Sequence, residues 1–276
     1  MGPYLSIDET ALSKGELYTI ITNKKAKGKK GSIVAIFSGT KVEPIIEQLM
    51  KISDKKRARV KEITLDMANS MKIIAKKCFP KAVQVTDRFH VQKLALEALQ
   101  DIRIKHRWDA IDLENEQIKR AKEKNRTFVP KEFGNGDTRK QLLARSRYLL
   151  YKSPNNWTRN QSERSRILFD QYPDIKTAFD LVQGLRNIFN TATNIQAAYT
   201  KLAHWYKDVE NTGFRAFNTI ANTISLNYRS ILNYFINRST NASAESFNAK
   251  IKAFRAQFRG VRNTEFFLFR LTQLFA

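Results

Sequence analysis

Three carboxylates of this chain stand where chemistry is usually done. Asp8 closes a short apolar run that begins at Tyr4, and Asp66 closes the run Val60–Leu65. In open α/β sheets, ligand sites gather at strand ends. Two aspartates at neighbouring strand ends repel one another unless a cation lies between them. Mg²⁺ and Mn²⁺ take oxygen ligands and suit phosphate chemistry, so they are the cations implied. Glu245 supplies a third carboxylate. It follows Ser239, Thr240, Asn241 and Ser243, all possible N-caps, and so opens a helix. Along that helix Ala244, Phe247, Ile251, Phe254 and Phe258 recur at 3–4 spacing as a stripe to bury. A second stripe runs beside it through Glu245, Asn248, Lys252, Arg255 and Arg259. A metal ligand followed by an amide and three phosphate-gripping cations suits a nuclease-like helix. Taken singly, each acid has an ordinary explanation as a surface acid, an N-cap or part of a solvated face. The combination carries the reading.

The elements that must position these groups follow from pattern. Tyr4–Asp8, Leu17–Thr22, Ser32–Phe37, Val60–Leu65 and Val83–Val85 read as strands. The basic segment Asn23–Gly31 reads as a turn between two of them. Val42–Met50, Met71–Phe79 and the stripe Val91, Leu94, Ala95, Ala98, Ile102 read as helices. The order is β-β-β-α-β-α-β-α. It predicts an antiparallel meander with later strands added in parallel through helices. From residue 107 to 238 the pattern predicts helices alone: a charged helix Trp108–Asn125, a loop Thr127–Asp137, then helical stretches 140–152, 158–178, 178–189, 192–211 and 214–235. Ala242–Phe275 is helical again, with Gly260 as a break. Trp108, Trp157 and Trp205 are expected in helical core, Cys78 as a small buried residue, and His106 and His204 at the surface or in packing.

Composition narrows the class of partner. The 276 residues carry 49 Lys+Arg against 26 Asp+Glu, a net charge of +23. The excess recurs along the chain: residues 22–62 hold 12 Lys/Arg against 4 Asp/Glu, and residues 119–166 hold 14 against 4. Spread in this way, it points to a polyanion gripped at several places, of which nucleic acid is the commonest. No single amphipathic helix collects lysines beside aromatics, which argues against a membrane surface. One cysteine excludes an intramolecular disulfide framework. Asp8 and Glu9 fall where the apolar part of a signal peptide would begin, so a cytoplasmic protein is expected.

Five motifs in this order resemble those of DDE transposases of bacterial insertion sequences. They are I-D-E-T-A-L-S-K-G at 7–15, T-L-D-M at 64–67 before a helix ending in C-F-P-K-A, D-R-F-H-V-Q-K at 87–93, N-A-S-A-E-S-F-N-A-K-I-K at 241–252, and F-R-G-V-R-N at 258–263. The resemblance spans nearly the whole chain. It implies an α/β, ribonuclease-H-like mixed sheet with flanking helices, interrupted by an all-helical insertion. The implied division is a core over 1–106 and 239–276 with the insertion at 107–238. The implied activity is metal-dependent DNA strand cleavage and strand transfer, with two Mg²⁺ or Mn²⁺ ions held by Asp8, Asp66 and Glu245. Topology favours Asp66 as the second aspartate, with Asp87 as its rival. Asp87 and His90 otherwise support the site or position DNA. Arg88, Asn248, Lys252, Arg255 and Arg259 become DNA contacts. The implied partners are double-stranded transposon ends and target DNA, with a homodimer when active. Family members carry a DNA-binding region before the first Asp. Seven residues precede Asp8 here, so end recognition is expected on a separate polypeptide, or the chain is a truncated copy. Two other readings share features with this one: a structure-specific nuclease of the same fold, and a nucleic-acid binder without catalysis.

Overall fold

The computed structural model describes residues 1–13, 16–258 and 263–276. Arg259 and Gly260, expected as a DNA contact and a helix break, lie outside the described residues. Five strands form one sheet: β1 (Tyr4–Ser13), β2 (Glu16–Asn23), β3 (Ile33–Ser38), β4 (Glu62–Leu65) and β5 (Val83–Thr86). Their spatial order is β3-β2-β1-β4-β5. β1–β2 and β2–β3 pair antiparallel, whereas β1–β4 and β4–β5 pair parallel. The expected strands are therefore all present. One bound differs: Asp8 does not close β1, which continues to Ser13 by pairing with β2. Asp8 instead stands just past the last rung between β1 and β4, Ser6 opposite Thr64.

Helices cover the sheet on both faces because its strands alternate. On β1, Leu5 and Ile7 point to one face. There they pack with Ile21, Ile63 and Leu65 against α1 (Val42–Met50) and α3 (Asn69–Cys78), through Ile45, Leu49, Met71, Ile74 and Cys78. A four-residue turn of helix, α2 (Asp54–Arg57), lies between α1 and β4. Cys78 is fully buried, as its pattern predicts. Ser6, Asp8 and Thr10 point to the opposite face.

α4 (Arg88–Glu123) follows β5 as one helix of 36 residues. The sequence suggested two helices here, but nothing between Arg88 and Asn125 breaks the ladder, since the span holds neither Gly nor Pro. It stops where Asn125 turns left-handed, a conformation that asparagine tolerates. α5 (Arg139–Arg145) and α7 (Arg159–Gln171) each start from a capping box, Thr138 with Gln141 and Thr158 with Gln161; α6 (Arg147–Leu150) lies between them. The break expected at Ala178 falls earlier. Pro173 opens α8 (Pro173–Thr191), since proline fits the first helical position where its missing N–H costs nothing. α9 (Ile195–Thr212), α10 (Arg215–Leu226), α11 (Tyr228–Leu232) and α12 (Tyr234–Asn237) follow. Trp205 is core and donates its indole N–H to the Leu181 carbonyl at 2.8 Å, but Trp108 is 61% exposed, against expectation.

The chain ends in α13 (Ala242–Gln257) and α14 (Thr264–Phe275). Phe247 and Ile251 of α13 and Phe267 and Leu271 of α14 pack on Tyr18, Ile20 and Ile33, on the second face of the sheet. Burying side chains of this size stabilises by about 2 kcal/mol each, which fixes α13 over β1 and β2. Phe258, expected in the same stripe, is 46% exposed. The chain divides into two compact units. One holds 1–91, 193–196 and 224–276, with the whole sheet; the other, all helical, holds 92–192 and 197–223. Among the described residues, no helix is long and apolar enough to cross a membrane.

Candidate metal and DNA site

Strand register places the first acids. Ser6 of β1 lies opposite Thr64 of β4, and Thr64 opposite Val85 of β5. Two residues further along each strand come Asp8, Asp66 and Asp87. A parallel ladder keeps such positions on one face with neighbours about 4.8 Å apart. The three aspartates therefore form a row: Asp8 lies within β1, past its last rung with β4, and Asp66 and Asp87 follow the carboxyl ends of β4 and β5. α13 brings Glu245 to this row from the sheet face, and α4 brings His90 from just after β5. Ligand atoms of Asp87, His90 and Glu245 lie within 4.8 Å of one another.

The hydrogen bonds assign the aspartates different surroundings. Asp87 is buried, and both of its oxygens accept backbone N–H groups: Oδ1 from Phe89 at 3.2 Å and Oδ2 from Asn241 at 3.1 Å. Asp66 is half-buried and its Oδ1 accepts from the Ala68 N–H at 2.7 Å. Asp8 is half-buried; Oδ1 accepts from the Glu9 N–H at 2.9 Å and Oδ2 from Asn248 Nδ2 at 2.6 Å. Glu245 is exposed.

A transposase family model, that of the ISL3 group of DDE transposases, matches residues 5–271. The chain belongs to this transposase family. Among curated relatives, the transposase for insertion sequence element IS1001 of Bordetella parapertussis is 24% identical over 276 residues, covering 99% of this chain and 61% of the relative. The transposase for IS1557 of Mycobacterium tuberculosis, in two strains, is 27% identical over 138 residues, covering 49% of this chain and 30% of the relative. The chain thus spans about three fifths of the first relative and under a third of the others.

In this transposase chain, charge is crowded around Asp8. Burial pushes its carboxyl up to about 6. The Asp66 and Glu245 charges push the same way, and the Glu9 N–H and His90 pull it down. Glu9 is also raised, by burial and then by Asp66 and Asp8. Asp8, Asp66 and Glu245 offer oxygen donors and negative charge of the kind a divalent cation takes.

The cations that the sequence assigned to DNA are dispersed around this cluster. Lys252 is exposed, Arg255 is half-buried, and Arg88 lies over the Tyr234 ring at 5.7 Å. Asn248 is buried and its amide N–H is used by Asp8, so its side chain faces the acid row.

Sequence reasoning did not single out Glu9 or Lys24, and named Asn241 only as a possible N-cap. Lys24 belongs to a segment that reads as a solvated basic turn. Its Nζ instead donates to Thr64 Oγ1 at 2.7 Å and lies 3.7 Å from the buried Glu62. Burial lowers its pKa, opposed by Glu62 and Asp87. Asn241 is fully buried at the start of α13. The alternation Tyr4, Ser6, Asp8 against Glu62, Thr64, Asp66 was the available signal for a polar cluster on this face.

Proposed function

We propose that this chain is the catalytic part of an insertion-sequence transposase, a two-metal polynucleotidyl transferase that cuts and joins DNA strands. On this reading the sheet is ribonuclease-H-like, 1–106 and 239–276 form the core, and the helical block 107–238 is an insertion. Asp8, Asp66 and Glu245 hold the ions. The observation that carries the reading is the shared register of Asp8 and Asp66 past the last β1–β4 rung, with the Glu245 charge reaching Asp8. The donor set fits Mg²⁺ or Mn²⁺, being all oxygen and short of compensating charge. Bound ions would supply Lewis-acid activation of the attacking and leaving oxygens.

The chain's own residues do the rest. Asn248 holds one oxygen of Asp8 and the Glu9 N–H holds the other, which fixes the carboxylate plane. The Ala68 N–H fixes Asp66. Lys252 and Arg255, further along α13 than Glu245, meet phosphates of the strand being cut. Arg88 is a further phosphate contact on this reading, as is Arg259, which lies outside the described residues. Transposon ends and target DNA are the substrates, and joining two ends calls for a dimer.

A second assignment has its own support: Asp87 in place of Asp66, because Asp87, His90 and Glu245 approach within 4.8 Å. Against it, Asp87 is buried, whereas Asp8 and Asp66 are half-buried and reach solvent. Calorimetric titration with Mn²⁺ separates the two. Asp66→Asn and Glu245→Gln are expected to lose at least ten-fold in Mn²⁺ affinity and Asp87→Asn to lose far less. Loss in Asp87→Asn alone would move the ligand. Unchanged affinity in all variants, with DNA present, would leave a nucleic-acid binder. With a labelled DNA substrate, joined product supports the transposase reading and nicked product alone a nuclease.

A further inference from the structure

The all-helical unit holds chemistry that the carboxylate row does not use. Arg103 and Arg107 lie one turn apart on α4 and share a face. Arg103 is buried; it donates to Gln100 Oε1 at 2.7 Å and to the Leu143 carbonyl at 2.9 Å. Gln100 in turn donates to the Arg147 carbonyl at 3.4 Å, which ties the start of α6 to α4. Burial, then the charges of Arg107 and Arg147, depress the Arg103 pKa, while Tyr151 opposes them. Three guanidinium groups are therefore gathered within electrostatic reach. Among the described residues no carboxylate forms an ion pair with any of them. Cations gathered without a paired carboxylate offer a place for an outside anion.

Exposed rings follow these arginines in the chain: Trp108 after Arg107 on α4, and Tyr148 and Tyr151 after Arg147. Tyr148 is 67% exposed, Trp108 61% and Tyr151 40%. The Arg147 guanidinium lies 5.5 Å from the Tyr148 ring centre. Arg186 of α8 donates to the Tyr151 carbonyl at 2.9 Å and to Ser153 Oγ at 3.1 Å, which fixes the segment after α6. Guanidinium forks match phosphate oxygens. Flat aromatic plates match base faces, which a duplex hides and a single strand offers. An unpaired nucleic-acid strand presents both phosphates and open base faces.

We propose that the exposed Arg107 and Arg147, beside the buried Arg103 and with Trp108, Tyr148 and Tyr151, form a binding site for unpaired DNA. The site rests on the reading that the chain acts on DNA, but it does not use the carboxylates. It takes phosphates on the guanidinium groups and stacks bases on the rings, as a frayed or cut DNA end would supply them.

Fluorescence anisotropy on the full chain in EDTA tests this, with a labelled 20-nucleotide single strand and the matching blunt duplex as probes. Arg107→Gln and Arg147→Gln are each expected to flatten the salt dependence of single-strand binding by about 0.7 in log–log slope. Tyr148→Ala and Trp108→Ala are each expected to weaken single-strand binding about ten-fold and duplex binding less than two-fold. These side chains are exposed, so the fold should tolerate the changes. Unchanged slopes, or equal losses on both probes, would overturn the proposal. Mn²⁺ titration of Tyr148→Ala keeps the two readings apart: retained Mn²⁺ affinity leaves the carboxylate assignment standing whatever the strand-binding result.

Discussion

Replacing Asp8 by Asn should stabilise the metal-free protein at neutral pH. The Asp8 carboxyl is raised from 3.8 to about 6 in the folded state, first by burial and then by Asp66 and Glu245. Below pH 3.8 both folded and unfolded chains hold the proton, and Asp8 contributes nothing to pH dependence. Between 3.8 and about 6 the unfolded chain releases its proton while the folded chain keeps it, so stability falls as pH rises. Above about 6 the penalty is constant. A shift of about two units at about 1.36 kcal/mol each gives about 3 kcal/mol. Asp8 is only half-buried, so screening by solvent reduces this to about 1–1.5 kcal/mol. Asn is a fair mimic of the protonated acid. Its oxygen can accept the Glu9 N–H, and its NH₂ can donate to Asn248 Oδ1, which has no partner among the described residues, once that amide rotates. Urea unfolding in EDTA, from pH 4 to 8, is the assay. Asp8→Asn should exceed wild type by about 1–1.5 kcal/mol at pH 7, and the gap should close by pH 4. A variant no more stable than wild type at pH 7, or a gap independent of pH, would refute the account of crowded charge. Adding Mn²⁺ should reverse the order, since only the wild type gains a ligand that neutralises the row.

Lys24→Met should destabilise by about 3 kcal/mol, because it leaves the buried Glu62 with only the Asn237 amide, at 2.9 Å, as partner. Urea unfolding at pH 7 measures this, and adding Glu62→Gln should recover more than half. If Lys24→Met is neutral, the pair is solvated and the inner position of Lys24 is wrong. Asp87→Ala leaves the Phe89 and Asn241 N–H groups unpaired and should cost about 2–4 kcal/mol; Asp87→Asn keeps one acceptor and should cost about half as much. Equal losses in the two variants would indicate that the carboxylate's charge, rather than its two acceptors, holds this corner.

The sheet was legible because each strand announces its own faces. Leu5 and Ile7 against Ser6 and Asp8 alternate cleanly, and turn residues separate the runs. What resisted reading depended on distant partners. β1 outruns its apolar start because β2 continues to pair with it through Ala11 and beyond, a fact of two strands and not of one. α4 looked like two helices because its apolar stripe gives way to charge. A helix ends where its hydrogen bonding is interrupted, and a change of surface composition does not interrupt it. Trp108 was expected inside on hydrophobicity alone. It lies on the exposed side of α4, and apolar residues at the surface are common enough that a single Trp carries little information on its place.

Pattern could also not separate Asp66 from Asp87, for a physical reason. Both follow a short parallel strand, and the two strands are in register, so each aspartate lands in the same row. Only the third dimension separates them. Asp87 is enclosed between the start of α4 and the segment leading into α13, and each of its oxygens accepts a backbone N–H from one of these. A carboxylate held in this way fixes the spacing between His90 and Glu245, which sit three residues along their own chains from Asp87 and four from Asn241 respectively. Asp66 is partly open to solvent and feels the charge of Lys72 on one side and of Asp8 on the other. Enclosure favours a structural part and openness a ligand's part. The same distinction would apply to Asn248, whose type suggested a DNA contact and whose burial binds it to Asp8. Residue types at this site indicate which chemistry is available. Which residue performs it follows from burial and from hydrogen bonds already taken, and those are set by packing between elements far apart in the chain.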